Sequence, residues 1–204
     1  MGIRSSNSNA MIISGMLFFL AAAIVFMGII TAEMFYPAGY STGHNEISDL
    51  GATRPPNSII AEPSATIFDN VMRAAGIMIL VGTFFVFRAY GDLLAAVPMG
   101  LLGLGALGVG VFSGNVVPMH PLFALLTFVG GGLAAICSYR IIRSPFRYIV
   151  VLLGVTTLFF LVTNEYFGTV LGTGGVERWI AYPVVLWLLG MGGYLIGVGS
   201  SEIK

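Results

Sequence analysis

The chain is a succession of apolar runs, at 11–35, 67–87, 93–112, 121–139, 148–163 and 179–198, whose centres hold no Asp, Glu, Lys, Arg or His. No other feature constrains the fold as tightly. A helix needs about 20 apolar residues to cross the roughly 30 Å hydrocarbon core of a bilayer. Inside that core only a helix or a closed barrel satisfies every backbone polar group. The six runs predict one all-α domain, a polytopic transmembrane bundle of six helices covering residues 1–204. Charged residues make up 9% of the chain, against about 25% in a soluble domain, and the mean hydropathy is +0.94. The net charge of zero provides no field for nucleic acid, so membrane lipids are the expected partners.

The breaks between runs are chemically consistent with this map. Pro121 suits the first turn of the fourth helix, where its missing N–H has no partner to lose. Arg143-Ser144-Pro145-Phe146-Arg147 reads as a polar turn. The first run exceeds 20 residues, too long for the 7–15-residue apolar region of a cleaved signal peptide, so a retained helix is expected. The lone Cys137 is expected to act as a small hydrophobe. The basic-residue bias sets the orientation. With the N-terminus inside, the inner segments hold Arg4, Arg88, Arg140, Arg143, Arg147 and Lys204, and the outer ones only Arg54, Arg73 and Arg178. Both termini are therefore expected in the cytoplasm of a multi-pass cell-membrane protein.

Small residues mark where helices meet in lipid, because close backbone approach is a main source of attraction there. Glycines crowd the third and sixth runs, and Gly193–Gly197 and Gly110–Gly114 have the GxxxG spacing. Packing within the chain is the first expectation for them, and a homo-oligomer contact the second. Pro98 and Pro183 are expected to bend their helices where neighbours satisfy the freed carbonyls.

Polar chemistry gathers on the predicted outer side. Both histidines and seven of the nine acidic residues fall there, most densely in Gly39–Gly51 of the one long connection, 36–66. Its turn formers alternate with Ile47, Leu50, Ile59 and Ile60, so an ordered loop folded onto the helix ends is expected. Two imidazoles and a carboxylate are a sufficient zinc set with water in the fourth position, which makes His44, Asp49 and His120 the metal candidates. Ser48 beside Asp49 and His44 is a candidate nucleophile, which makes His44, Ser48, Asp49 and His120 the catalytic candidates. The alternatives are structural: His44 ordering its loop and His120 capping the fourth helix. Asp69 and Arg73, four apart on the second helix with Ser64 or Thr66 as N-cap, form either an ion pair or the floor of a pocket. The candidate ligand-binding set is Asp49, Asp69, Arg73, His120, Glu177 and Arg178. Helix centres without ionisable groups argue against an ion-coupled pump. Two readings lead: a protein that binds a lipid headgroup or small polar ligand in an extracytoplasmic pocket, and a metal-dependent membrane hydrolase or lipid-modifying enzyme. A structural or assembly role without a ligand is the third.

Several segments resemble a known family. Tyr36-Pro37-Ala38-Gly39-Tyr40-Ser41, Asn45-Glu46-Ile47-Ser48-Asp49-Leu50-Gly51, Ile67-Phe68-Asp69-Asn70 and Gly174-Gly175-Val176-Glu177-Arg178, followed by Pro183 and Trp187, are similar to the prokaryotic integral membrane proteins of domain of unknown function 998. The resemblance spans nearly the whole chain and implies a six-helix bundle without implying an activity. Ile47-Ser48-Asp49 and Phe68 also resemble elements of damage-regulated autophagy modulator-type membrane proteins, which would imply a lipid-related role. Membrane hydrolases of the alkaline ceramidase type use three histidines, and this chain has two.

Overall fold

The computed structural model describes residues 2–203, and the side chains of residues 7–202 within them. Arg4 and Lys204, two of the basic residues in the orientation argument, lie outside the described side chains. Six helices run α1 Gly2–Phe35, α2 Ser64–Tyr90, α3 Leu93–Val111, α4 Met119–Cys137, α5 Phe146–Val162 and α6 Asn164–Ile203. No strand occurs among the described residues. Five of the helices are long and apolar enough to cross a membrane, and α5, at 17 residues, is the short one. The protein is an integral membrane protein.

The helices form a closed ring. Each packs against its neighbours in sequence, α6 returns to α1, and α4 also touches α6 across the middle. Short links enforce antiparallel neighbours: α2 ends on Gly91, with φ 66°, and α3 begins after Asp92, whose side chain accepts the Ala95 amide. Six passes place both termini at one end of the bundle, where Ser8 Oγ donates to Glu202 Oε2 at 3.0 Å. The long α1–α2 connection lies at the other end.

The glycines of α3 are spent on packing. A Cβ at Gly103 would meet Leu80 on α2, and one at Gly105 or Gly108 would overlap Thr127 or Phe123 on α4. On α6, Gly192 and Gly199 face α1 in the same way, but Gly193 and Gly197 do not. A Cβ at either would meet nothing within 4 Å. The GxxxG pair of the last helix therefore does not pack within the chain, which corrects the first expectation for it. Its face is open to lipid or a second copy. Pro183 sits inside α6, and the fully buried Thr157 of α5 donates to Ile180 O beside it at 3.0 Å, supplying a neighbouring helix's hydrogen bond near the proline.

Trp187 is the largest fully buried side chain, and its indole N–H donates to Ser138 Oγ at 3.0 Å. Ser138→Ala would leave that N–H unpaired in an apolar core, at a cost of about 1–3 kcal/mol. Thermal unfolding in detergent should show a clear drop for Ser138→Ala. Ser201→Ala, on an exposed serine that bonds only its own helix, should show almost none.

Helix ends differ from expectation in three places. α2 starts at Ser64 without a side-chain cap. Ser64 Oγ turns instead to Leu50 O at 3.1 Å, and the Thr66 amide goes to Glu62 Oε2. The fourth helix begins at Met119, so Pro121 falls in its first turn and His120 lies inside the helix rather than capping it. The connection between the fifth and sixth apolar runs is largely helical: α6 runs back to Asn164, interrupted at Gly172. The part of α6 after Gly172, residues 173–203, is about 46 Å long, more than the roughly 30 Å hydrocarbon core, so part of it stands outside the lipid.

Candidate functional site

The α1–α2 connection is seated in the end of the ring. Its 3-10 turn, Ile47–Leu50, inserts Ile47 and the fully buried Leu50 among Ile29, Ala32, Phe68 and Val109. Alternating apolar residues in a glycine-rich loop thus become a plug. Asp49 serves this turn, its Oδ2 accepting the Glu46 amide at 3.0 Å and Asn45 Nδ2 at 3.4 Å. Asn45 Oδ1 in turn accepts the Ser41 amide.

Arg178 latches the plug from α6. One terminal nitrogen donates to the carbonyls of Thr42, Asn45 and Gly174 at 2.8–3.0 Å. The other donates to Glu33 Oε1 at 2.7 Å and to Tyr40 Oη at 2.8 Å. Burial pushes the Tyr40 hydroxyl well above its usual range, so it stays protonated and donates onward to Glu46 O. Nearby, Thr173 Oγ1 donates to His44 O, the Gly175 amide to Gly43 O, and the Ile47 amide to Glu177 Oε2. Glycines allow this contact: a Cβ at Gly172 or Gly174 would overlap the carbonyl oxygen of Gly43 or Asn45.

Beneath the plug lies a chamber enclosed by α1, α2, α3, α4 and α6. It offers about 90 Å³ to the centres of water-sized spheres, where a single water needs about 10–15 Å³. Its walls are almost wholly apolar, with Val25, Met72, Ala106, Phe128 and Val185 among them, and its polar residues include Ser48, His120 and Glu177. A more polar vestibule of about 310 Å³ adjoins it, lined by Glu46, Arg54, Asn164 and Thr173 among others. Ser48, His120, Ala124, Phe128 and Glu177 line both spaces.

His120 is only 4% exposed. Its Nδ1 lies 2.7 Å from Phe112 O, the residue that closes α3. A carbonyl only accepts, so Nδ1 carries the hydrogen and Nε2 of the neutral ring is an acceptor. His120 therefore satisfies the end of α3 rather than the start of its own helix. The charges acting on it are those of Arg54, Glu46 and Asp69. Arg54 is bound to Glu46 through both carboxylate oxygens, at 2.7 and 2.9 Å.

The sequence candidates thus separate into three groups. His120, Glu177 and Ser48 line the cavity, whereas Asp49 and Arg178 hold the loop. Asp69 and Arg73 line a separate groove with Gly51, Glu62 and Ser113. There Asp69 Oδ2 accepts Ser113 Oγ at 2.6 Å, Arg73 Nε donates to Gly110 O at 2.5 Å, and their charges stand 3.7 Å apart. His44 is exposed. Among the described residues no group of three His, Cys, Asp or Glu is placed to hold a metal ion, so His44, Asp49 and His120 are not assembled for zinc.

Sequence reasoning missed the chamber walls and the role of Glu33 and Tyr40. The walls are small apolar residues scattered over five helices and carry no motif. The Glu33–Arg178 pair did leave a signal: opposite charges at the same ends of runs that the ring closure brings together.

A sequence model of the family described as "Protein of unknown function (DUF998)" matches residues 19–194. No curated protein and no solved structure matches the chain.

Proposed function

The chain belongs to the DUF998 family, whose description assigns no activity, and we propose from its own residues that it binds an amphiphile on the extracytoplasmic side of the cell membrane. The polar group sits in the vestibule and the apolar chain in the chamber. The observation that carries this reading is the shared wall: His120, Glu177 and Ser48 stand where the polar space meets the apolar one. Water entering the chamber would find few partners, so an apolar site of this kind stays dry. An apolar chain would fill the chamber, and the surrounding bilayer is the nearest supply of such chains.

Ala124 lines both spaces, so Ala124→Phe should fill their junction. Native mass spectrometry of the purified protein should show an amphiphile at one per chain, absent from Ala124→Phe. Unfolding temperature checks that the variant is folded. A folded Ala124→Phe carrying the same adduct as the parent would remove the reading and favour a purely structural role for the plug.

A further inference from the structure

The proposed amphiphile site leaves open which head group it takes, and the hydrogen-bond ledger of the vestibule narrows that choice. The arginines of this end are committed or neutralised. Arg178 is spent on Glu33, Tyr40 and three carbonyls. Arg73 lies in the separate groove, bonded to Gly110 O and Asn70. Arg54 does line the vestibule, but its charge is cancelled by the two-oxygen pairing with Glu46.

Among the residues that line both spaces, the polar groups left over are acceptors. Among the described residues His120 Nε2 has no hydrogen-bond partner, and the ring, in a residue 4% exposed, lines both spaces. Its hydrogen is already committed to Phe112 O on the other nitrogen. Glu177 takes the Ile47 amide and forms no ion pair among the described residues. Ser48 Oγ, on the same wall, accepts as readily as it donates. Burial, with the Glu46 charge beside it, raises the Glu177 carboxyl to about 7, so above that pH Glu46 and Glu177 give the vestibule one more negative charge than Arg54 offsets. An incoming phosphate or carboxylate would meet acceptors and a like charge, whereas a head group with its own hydrogens would meet partners.

Resting on the amphiphile reading, we propose that the site takes a protonated primary amine on an apolar chain, its three N–H donors directed to Glu177, His120 Nε2 and Ser48. A phosphate- or carboxylate-headed chain is disfavoured. The charge balance rejects the anion, and the open acceptors select an amine that can donate over one that only carries charge.

The test uses the full chain in maltoside micelles, titrated by native mass spectrometry with dodecylamine, dodecyl phosphate and dodecyltrimethylammonium. Dodecylamine is expected to form a one-to-one adduct at least tenfold tighter than either of the others. Glu177→Gln keeps an oxygen for the Ile47 amide, so its fold should survive, and His120→Phe keeps the ring volume. Each should weaken dodecylamine at least tenfold, and Glu177→Gln should leave the unfolding temperature nearly unchanged. Dodecyl phosphate binding as tightly as the amine would overturn the head-group assignment, and if Ala124→Phe abolished that binding the amphiphile site would still stand. Dodecyltrimethylammonium matching dodecylamine would show that charge alone is read, which also overturns it. If Ala124→Phe changed the binding of none of the three, the site and the head-group assignment would fall together.

Discussion

Arg178→Ala should be the most damaging polar substitution in the chain, costing on the order of 3–5 kcal/mol, the range for removing one partner of a buried, hydrogen-bonded charge. The side chain is 11% exposed and makes five hydrogen bonds, three of them to carbonyls of the plug and of α6. Its loss leaves Glu33 without its cation and the Thr42 and Asn45 carbonyls without the guanidinium. Arg178→Lys should recover only part of the loss, because an ammonium can pair with Glu33 but lacks the planar fork that reaches both clusters at once. Glu33→Ala should cost less than Arg178→Ala, since the guanidinium keeps Tyr40 and the three carbonyls. Thermal unfolding would rank the three variants, and amide hydrogen exchange should speed up across residues 41–50 in Arg178→Ala. Equal effects from Glu33→Ala and Arg178→Ala would show that the ion pair alone matters and that the carbonyl contacts contribute nothing.

Gly172→Ala should approach the same size for a different reason. Gly172 has φ 75° and ψ 162°, a region essentially closed to residues with a Cβ and worth about 1–3 kcal/mol of strain by itself. The added methyl would also overlap Gly43 O, within the segment whose carbonyls Arg178 holds. Backbone cannot yield there without moving the plug, so a combined loss of about 3 kcal/mol or more is expected. Gly168→Ala and Gly193→Ala are the matched controls, each a helical glycine whose Cβ would meet nothing within 4 Å. Those two should be neutral or stabilising by up to about 1 kcal/mol, since alanine is the better helix former. Equal unfolding temperatures for Gly172→Ala and Gly168→Ala would refute the close approach.

The helices were legible because lipid imposes a long-range rule: uninterrupted apolar length. The plug was also readable, from Ile47 and Leu50 among turn residues. The run from Asn164 to Arg178 was not. Gly172, Gly174 and Gly175 carry no mark of a partner in the sequence, yet two of them are there because loop backbone presses against the helix. A glycine chosen for flexibility and one chosen for contact look alike without the partner. The site divided along the same line. His120 and Glu177 stood out as rare polar residues, but nothing in the sequence says that Asp69 and Arg73 belong to another groove. That assignment depends on how the ring closes. The chamber is set by which small side chains face inward, a property of helix rotation that an apolar run with weak periodicity leaves open.

The latch also fixes an order of events. The Ile47 amide and its acceptor, Glu177, are separated by 130 positions, and the Arg178 contacts span nearly the same distance. At about 5–20 residues per second, the ribosome needs roughly 7–26 s to supply the second half of the device after the first. Throughout that interval the early loop can settle only against the helices made before α6, without its latch. The cavity is therefore closed only when the last helix arrives. A nascent chain stopped before its final helix would be a membrane protein without a pocket.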